Sequence, residues 1–290
     1  MIPAPFDYHA PKTLSEAIAL LGRYGEEAKV LSGGQSLLPL MKLRLGQPGH
    51  LVDIGKIPDL EYIREEGGYL KIGGRTRESA LETSDLIRKK YPILSDTAAV
   101  IADPIVRNLA TVGGNLAHGD PANDHPATML ALGAEVVATG PKGARTIPIG
   151  KFFTGLFSTA LAPDEILTEI RIPIAPLRSG GAYRKLERKV GDFATAAAAA
   201  QVTLDKSGAI ERAGIGLTAA GPTPIEATEA QRYLQGKKGD DATVAEAARL
   251  ASQSASPSAD RRGSVEYKRQ MARVLTVRAL KKAIARAQGA

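Results

Sequence analysis

The fold of this 290-residue chain is decided by two glycine-rich stretches, S-G-G-Q-S at residues 32–36 and T-V-G-G-N at residues 111–115. Each follows an apolar or β-branched stretch and combines two flexible glycines with hydroxyl and amide side chains. Such a turn suits a backbone concavity whose N–H groups point at an anion, and two of them would hold the two charges of a pyrophosphate. An ordinary tight turn is the alternative for either stretch taken alone. Neither stretch matches the G-x-G-x-x-G or the G-x-x-x-x-G-K-[ST] nucleotide motif.

The composition is typical of a globular chain with more than one domain. Apolar residues make up 43% and charged residues 24%, and the length favours about two domains. No apolar run approaches the ~20 residues that span a bilayer, and the first ten residues lack the basic and apolar regions of a signal peptide. We therefore expect a cytoplasmic protein without a membrane span.

The chain contains no cysteine, which restricts its chemistry. It forms no disulfide and supplies no thiolate to an iron–sulfur cluster, a zinc site or a nucleophile. Any iron–sulfur chemistry must therefore lie on another polypeptide. The net charge of +7 is spread along the chain, and no tryptophan is present for base stacking. A nucleic-acid partner is therefore not expected.

Helix and strand signals alternate along the chain. Thr13 and Glu16 form a capping-box pattern ahead of a first helix, and the alanine run at residues 195–200 has the intrinsic propensity of a helix. Residues 172–181 carry two prolines and two glycines, which predict a linker and a domain boundary. The other predicted strands are 29–31, 51–54, 69–72, 135–139, 166–172 and 183–188, and the other predicted helices are 77–89, 94–102, 126–132, 224–234, 243–252 and 264–287.

The stretch at residues 107–126 contains the second turn and, after it, a dense set of polar side chains. Asp124 lies within nine residues of Asn115, and a carboxylate near a phosphate-binding turn commonly binds a ribose hydroxyl. Two alternatives stay open. In the first, the acidic side chains, Asp120 above all, cap turns and the next helix. In the second, four side chains bind a metal, although their spacing along the sequence fits no common metal-binding pattern. Those four are His118, Asp120, Asp124 and His125.

Three longer phrases make a family resemblance specific. They are L-S-G-G-Q-S-L-L-P-L-M-K-L-R-L at 31–45, A-T-V-G-G-N-L-A-H-G-D-P-A-N-D-H-P-A at 110–127 and Y-R-K-L-E-R-K-V-G-D-F-A-T-A-A-A-A at 183–199. In this order they resemble the FAD-binding medium subunits of molybdenum hydroxylases, the xanthine dehydrogenase family, and look most like those of aerobic carbon monoxide dehydrogenases. The resemblance covers essentially the whole chain, from F-D-Y-H-A-P-K at 6–12 to E-Y-K-R-Q-M-A at 266–272.

The resemblance implies an α+β flavoprotein. A two-lobed FAD-binding domain of the vanillyl-alcohol oxidase/p-cresol methylhydroxylase type would span residues 1–176, with lobes at about 1–56 and 57–176. A smaller α/β C-terminal domain would span residues 177–290. In this fold the alanine run is a strand, against its propensity, because tertiary context overrides intrinsic preference.

The resemblance also implies where FAD binds. Both turns would wrap the pyrophosphate, Asp124 would bind the ribose, Lys185 of the Y-x-K segment would lie near the cofactor, and Phe193 would pack close to the flavin. Relatives often carry tyrosine at the position of Phe193, so a role that needs a hydroxyl is absent here. A solvated strand residue is the alternative for Lys185. The residues implied in the two turns are Ser32, Gly33, Gly34, Gln35, Ser36, Thr111, Gly113, Gly114 and Asn115.

The implied function is electron transfer. A molybdopterin-containing large subunit would oxidise the substrate, a [2Fe-2S] small subunit would relay the electrons, and this chain would pass them through FAD to an external acceptor, in a dimer of heterotrimers. No catalytic residue and no metal ligand is then expected in this chain. The alternatives are a stand-alone flavin oxidase or dehydrogenase and a non-catalytic nucleotide-binding module. The oxidase is disfavoured because no histidine after residue 181 is available as a general base.

Overall fold

The N-terminal part of the chain forms a small parallel sheet, as seen in a computed structural model that describes residues 2–289. Strand β3 lies between β1 and β2 and is parallel to both. The Thr13 hydroxyl accepts a hydrogen bond from the Glu16 amide, which confirms the predicted start of the first helix. The elements are β1 (Asp7–His9), α1 (Leu14–Tyr24), β2 (Ala28–Leu31), α2 (Leu37–Lys42) and β3 (His50–Asp53).

A five-stranded antiparallel sheet follows, in the order β4-β5-β10-β6-β7. Its apolar side chains form one core with the helices packed on it. The strands are β4 (Ile63–Glu66), β5 (Tyr69–Gly73), β6 (Glu135–Gly140), β7 (Gly143–Pro148) and β10 (Ile166–Pro173), and β8 (Phe153–Gly155) pairs separately with β9 (Ser158–Thr159). The helices are α3 (Glu78–Thr83), α4 (Asp85–Lys90), α5 (Pro92–Ala98), α6 (Pro104–Arg107), α7 (Val112–Ala117) and α8 (His125–Leu132).

Two helical predictions in this region are wrong in their extent. The stretch at residues 77–89 is divided at Ser84, whose extended backbone ends α3 and whose hydroxyl accepts from the Ile87 amide to begin α4. The helix predicted at residues 94–102 is α5, which begins earlier, at Pro92, and ends at Ala98. The left-handed backbone of Ala102, with φ of 45°, turns the chain away from the helix.

The C-terminal part forms a four-stranded antiparallel sheet in the order β11-β12-β13-β14. The alanine run lies in β12, as the resemblance implied, because small side chains are needed on both of its faces. Ala197 and Ala199 pack in the core of the second sheet, while Ala198 and Ala200 pack against the C-terminal helices. The elements are β11 (Ser179–Leu186), β12 (Ala196–Leu204), β13 (Ile210–Thr218), β14 (Ile225–Glu226), α9 (Thr228–Leu234), α10 (Asp241–Ser254) and α11 (Val265–Ala287).

The last two sheets are joined by a short connection and by an ion cluster. Because β11 begins at Ser179, the linker predicted at residues 172–181 shrinks to residues 174–178. Asp96 of α5 accepts from Lys282 and Arg286 of α11, at 3.1 and 2.7 Å. Burial alone would raise the pKa of Asp96, but these two cations hold it below its ordinary value. Within residues 2–289, none of the helices has the length and apolar character required to cross a bilayer.

Candidate cofactor-binding site

The two glycine turns meet in space although 79 residues separate them. The hydroxyls of Ser32 and Thr111 share a hydrogen bond of 3.0 Å. A Cβ atom on Gly33 would lie 2.3 Å from the carbonyl oxygen of Leu109 and 2.8 Å from the Cα of Ala110. Only glycine permits an approach this close, so Gly33 fixes the distance between the turns.

The turns border a cavity of about 930 Å³. This volume lies near the upper end of the roughly 300–1,000 Å³ that is usual for cofactor and ligand sites. Its walls come from all three sheet regions, including Lys29 of β2, Leu167 of β10 and Asp192 after β11. The structure brings all of the sequence-predicted binding residues to this one cavity. They are Ser32, Gly33, Gly34, Gln35, Ser36, Thr111, Gly113, Gly114, Asn115, Asp124, Lys185 and Phe193.

The first turn presents free backbone donors. Among residues 2–289, the amides of residues 33–37 have no hydrogen-bond acceptor, and the Ser36 side chain does not cap the helix that follows. Gly34 has φ of 73°, a left-handed conformation that glycine adopts without strain. Gln35 holds the loop through its amide nitrogen, which donates to the Gly33 carbonyl at 3.1 Å. A run of successive unpaired amides is the arrangement that binds an anion.

The amides of the second turn are bonded to a neighbouring segment of the same chain instead. Its Val112 amide donates to the Thr76 carbonyl at 2.9 Å, and its Gly113 amide donates to the Gly74 carbonyl at 3.1 Å. The Gly114 amide donates to the Thr111 hydroxyl at 3.2 Å. These bonds follow from an antiparallel bridge between residues 77 and 111. The Asn115 amide donates to the Thr111 carbonyl at 2.9 Å. The expectation that both turns offer main-chain amides therefore does not hold for residues 112–115.

Asn115, in the next turn of α7, supplies a test of cofactor fit. Its side-chain oxygen Oδ1 is buried without a partner in the part of the chain that the structure describes, while its carbonyl accepts from the Asn123 side chain at 2.7 Å. A buried polar atom left unpaired costs about 1–3 kcal/mol. A hydroxyl-bearing ligand in the cavity would remove this cost, and FAD has such hydroxyls in its ribityl chain and ribose.

A buried polar cluster joins the cavity to the C-terminal sheet. Lys185 donates to Asp124 Oδ2 at 3.0 Å, and the Tyr183 hydroxyl donates to Asp124 Oδ1. Burial raises the pKa of Tyr183 well above its ordinary value, and the Asp124 charge adds to this effect, so the phenol is a neutral donor. The Lys185 side chain is only 2% exposed, so the alternative of a solvated strand residue is wrong.

Each oxygen of Asp124 keeps a second lone pair that is available to accept a hydrogen bond from a ribose hydroxyl. Its role toward the ribose stays a prediction. No role for Tyr183 was predicted from the sequence. The spacing of the Y-x-K segment gave a signal, because residues two apart on a strand share one face of the sheet.

The four side chains of the metal alternative have different partners. His125 Nε2 lies 2.7 Å from Glu78 Oε2, and both side chains are fully buried. His118 packs against the ring of Phe157 at the cavity wall, where burial lowers its pKa. Asp120 accepts from the Ala122 amide at 2.8 Å, as the turn-capping alternative predicted. No group of three or more histidine and acidic side chains suited to a metal occurs between residues 2 and 289.

Three further cavity residues were not predicted from the sequence. Phe157, Ser158 and Leu161 belong to the segment around the β8–β9 pair and line the cavity, and no local pattern marked them. The sequence placed Ile101 and Asp103 near the site without a role. Ile101 lines the cavity, whereas the Asp103 carboxylate accepts from the Val106 amide.

Comparison with known proteins decides the family. A family model described as the FAD binding domain in molybdopterin dehydrogenase matches residues 4–175, more than half of the chain. The chain belongs to this family. A second model, the CO dehydrogenase flavoprotein C-terminal domain, matches residues 181–283. The resemblance derived from the sequence is thereby confirmed, and so are FAD as the cofactor and the assignment to an oxidoreductase subunit.

The whole chain also has close relatives. It is 48% identical to the carbon monoxide dehydrogenase medium chain of Afipia carboxidovorans over 99% of this chain and 100% of the relative. It matches a chain in the crystal structure of cyanide-inactivated Cu,Mo-CO dehydrogenase with a TM-score of 0.96, at 48% identity over 99% and 100% of the two chains. Quinoline 2-oxidoreductase from Pseudomonas putida 86 matches with a TM-score of 0.92, at 34% identity over 99% of each chain. The predicted fold class is therefore confirmed.

Proposed function

We propose that this chain is the FAD-carrying electron-transfer subunit of a carbon monoxide dehydrogenase-type molybdenum hydroxylase, which takes electrons from the iron–sulfur clusters of a partner and delivers them to an external acceptor. The observation that carries the proposal is the run of unpaired amides at residues 33–37 beside the unpaired Asn115 oxygen, in one cavity. A dinucleotide with a diphosphate and several hydroxyls satisfies both kinds of group.

The free donors and acceptors in the cavity indicate which part of FAD each group contacts. In this proposal the amides of Gly33, Gly34, Gln35 and Ser36 bind the pyrophosphate, with Ser32 close by. Thr111, Gly113 and Gly114 form the opposite wall and keep the helix with Asn115 in place. Asp124 contacts the ribose, and Lys185 and Phe193 lie toward the flavin.

Bound FAD supplies reversible electron acceptance, and this chain positions it and sets its electrostatic surroundings. Lys185 lies at the cavity wall, where its ammonium is paired with Asp124 at 3.0 Å and with Glu187 at 3.3 Å, so it fixes the Asp124 carboxylate in position. Phe193 is 46% exposed at the same cavity, so it packs an apolar surface against the cofactor and keeps water from it. The substrate step needs no general acid or base from this chain.

The partners follow from what the chain lacks and from its relatives. With no cysteine, it ligates no iron–sulfur cluster through thiolates. The Afipia relative is named as a medium chain, and the matching crystal structure is of a Cu,Mo-enzyme. We therefore propose a molybdopterin-containing large subunit and a [2Fe-2S] small subunit, assembled as a dimer of heterotrimers in the cytoplasm.

Carbon monoxide is the proposed substrate of the complex because identity is higher to the carbon monoxide dehydrogenase chain, 48%, than to the quinoline enzyme, 34%. Both chains share this fold, so the substrate is chosen in the partner and not in the flavin chain. The proposed domain boundary lies after residue 176, within the irregular residues 174–178, and divides the chain into residues 1–176 and 177–290.

The first test is isolation of the chain alone and with its co-purifying partners. The proposal predicts a yellow protein with one FAD per chain, reduced by carbon monoxide only when both partner subunits are present. Reduction of the isolated chain by a substrate would favour a stand-alone flavin enzyme. A colourless chain that binds no added FAD would contradict the proposal.

A further inference from the structure

One wall of the cavity is a short segment without backbone hydrogen bonds to its carbonyls. The carbonyl groups of Val100, Ile101 and Ala102 follow the end of α5, and no backbone amide in residues 2–289 donates to them. Two buried cations bind them instead. Lys185 Nζ donates to Val100 O at 3.0 Å, and Arg107 Nη1 donates to Ile101 O at 3.0 Å and to Ala102 O at 3.3 Å.

The guanidinium of Arg107 is itself fixed in position. Its Nε and Nη2 donate to Glu82 at 2.8 and 3.2 Å, in a paired arrangement, and the residue is 8% exposed. Arginine suits this task because its planar group carries several donors in a rigid geometry, which a lysine does not match. Arg107 therefore connects a carboxylate on α3 to the carbonyls of the wall.

Residues from two parts of the chain hold this wall in place. Lys185 and Gly191 come from the C-terminal sheet and the loop after it, whereas Arg107 and Glu82 come from the helices of the second sheet. A Cβ atom on Gly191 would lie 3.1 Å from the carbonyl carbon of Ala102, so that loop rests on the wall. Ile101 and Ala102 both line the cavity.

Ala102 shows that this segment needs external support. Its φ of 45° lies in the left-handed region, which is unfavourable for any residue with a Cβ atom. Such a conformation persists only where the surrounding contacts determine it. The contacts here are the hydrogen bonds from Arg107 and the packing of Gly191.

We propose that Arg107 is a positioning residue that acts through Ile101 and Ala102 and holds this cavity wall in the shape that receives the flavin end of FAD. The inference rests on the proposed function, because it takes FAD as the occupant of the cavity. Arg107 lies behind this wall and acts on the cofactor only through the backbone.

The test uses the variant Arg107→Met and a rescue. Fluorescence titration of the stripped chain with FAD measures the dissociation constant. We expect Arg107→Met to weaken binding by about tenfold, because hydrogen bonds from a charged group are lost. The double variant Arg107→Met/Ala102→Gly is expected to recover most of this loss, because glycine adopts the left-handed conformation without support. Arg232→Met, which changes a side chain that is 76% exposed, is the matched control and leaves binding unchanged.

Two further measurements separate positioning from general stability. In the chain without FAD, hydrogen exchange of a peptide covering residues 99–106 is expected to quicken in Arg107→Met and to stay unchanged in the control. The visible absorption band of bound FAD is expected to shift in Arg107→Met and to return in the double variant. If Arg107→Met does not fold, Arg107→Lys replaces it, because a lysine reaches one carbonyl but not two and Glu82 together.

The outcomes distinguish this inference from the proposed function. A wild-type chain that binds FAD, with an Arg107→Met variant that binds it equally and shows the same absorption band, would overturn the positioning role alone. Loss of binding without recovery in the double variant, together with unchanged hydrogen exchange of residues 99–106, would also overturn it, because Arg107 would then act through neither Ile101 nor Ala102. A wild-type chain that binds no FAD would overturn the proposed function.

Discussion

The two glycine turns share a sequence pattern and contact one cavity, yet their backbones are used differently. The first leaves the amides of residues 33–37 unpaired. In the second, the amides of Val112 and Gly113 donate hydrogen bonds to carbonyls of residues 76 and 74 in the same chain. The first turn is therefore the anion-binding element. The second forms the N-terminus of α7 and is a scaffold that holds Asn115 at the cavity. Similar local sequences thus acquire different roles from what lies next to them.

The glycines within each turn differ as well. A Cβ atom on Gly33 or Gly113 would lie 2.3 Å from a backbone oxygen, of Leu109 and Gly74 respectively. The nearest atom to a Cβ on Gly114 would be the Thr111 hydroxyl at 2.7 Å, and around Gly34 only side-chain atoms lie close, from 3.0 Å. The first glycine of each pair is required for packing, and the second leaves more room.

The largest expected effect on folding and binding together comes from forcing the two turns apart. In Gly33→Val, the added side chain collides with backbone atoms that have no alternative position. We expect the free energy of unfolding to fall by about 3 kcal/mol and FAD affinity to fall by about 100-fold. Thermal unfolding without FAD and titration with FAD measure the two effects. Gly22→Ala is the control, because a Cβ atom there meets nothing within 4 Å. Wild-type affinity in Gly33→Val would mean that the turns need not touch.

A smaller loss is expected at the carboxylate that the second turn brings near the cavity. Asp124→Ala leaves the buried ammonium of Lys185 with Glu187 at 3.3 Å as its remaining carboxylate and takes the acceptor from the Tyr183 hydroxyl. Asp120→Ala removes only a bond to the Ala122 amide. We expect Asp124→Ala to lower FAD affinity by about tenfold or more and the free energy of unfolding by about 3 kcal/mol. Asp120→Ala should cost less than about 1 kcal/mol. Equal FAD binding by the two variants would mean that Asp124 is not the important carboxylate.

The second glycine of each pair separates cofactor binding from folding. We expect Gly34→Val and Gly114→Val to lose FAD while the chain stays folded. The valine at residue 34 occupies space beside the phosphates, and the valine at residue 114 displaces the Thr111 hydroxyl, which would lie 2.7 Å from its Cβ, at the opposite wall of the cavity. Gly34→Val also forces a left-handed valine, which costs about 1–2 kcal/mol. Circular dichroism confirms the fold, and flavin absorbance measures occupancy. Full occupancy in both variants would contradict the binding of FAD between these turns.

The smallest effect is expected at the contact between the two hydroxyls. Ser32→Ala removes the 3.0 Å hydrogen bond to Thr111 but leaves the amides of residues 33–37 and the cap on Gly114 intact. FAD affinity should fall by about threefold to tenfold, in line with about 1 kcal/mol for one hydrogen bond. Isothermal titration measures it. A loss as large as in Gly33→Val would assign the contact between the turns to the hydroxyls and not to the glycine.

Much of the site could be predicted from the sequence, because the glycine turns and the Y-x-K segment are local patterns. The unequal use of the two turns could not be predicted, since it depends on the bridge between residues 77 and 111 and on the carbonyls of residues 74 and 76. The β8–β9 segment at the cavity was also missed, because no local pattern marks the residues that long-range packing brings to the site.

The fold shows the same limit. The strand β12 was predicted through the family resemblance, because its alanines favour helix until small side chains are needed against two cores. The division of the helix at Ser84 depends on one extended residue, which a helical hydrophobic pattern does not reveal.

Hydrogen exchange of the two turns with and without FAD tests the central claim most directly. The claim is that free amides of the first turn bind the diphosphate, while those of the second are already bonded within the protein. We therefore predict that FAD slows exchange strongly at the amides of residues 33–37 and changes it little at Val112 and Gly113, which exchange slowly even without FAD. Strong new protection at Val112 and Gly113, with unchanged exchange at residues 33–37, would contradict the account.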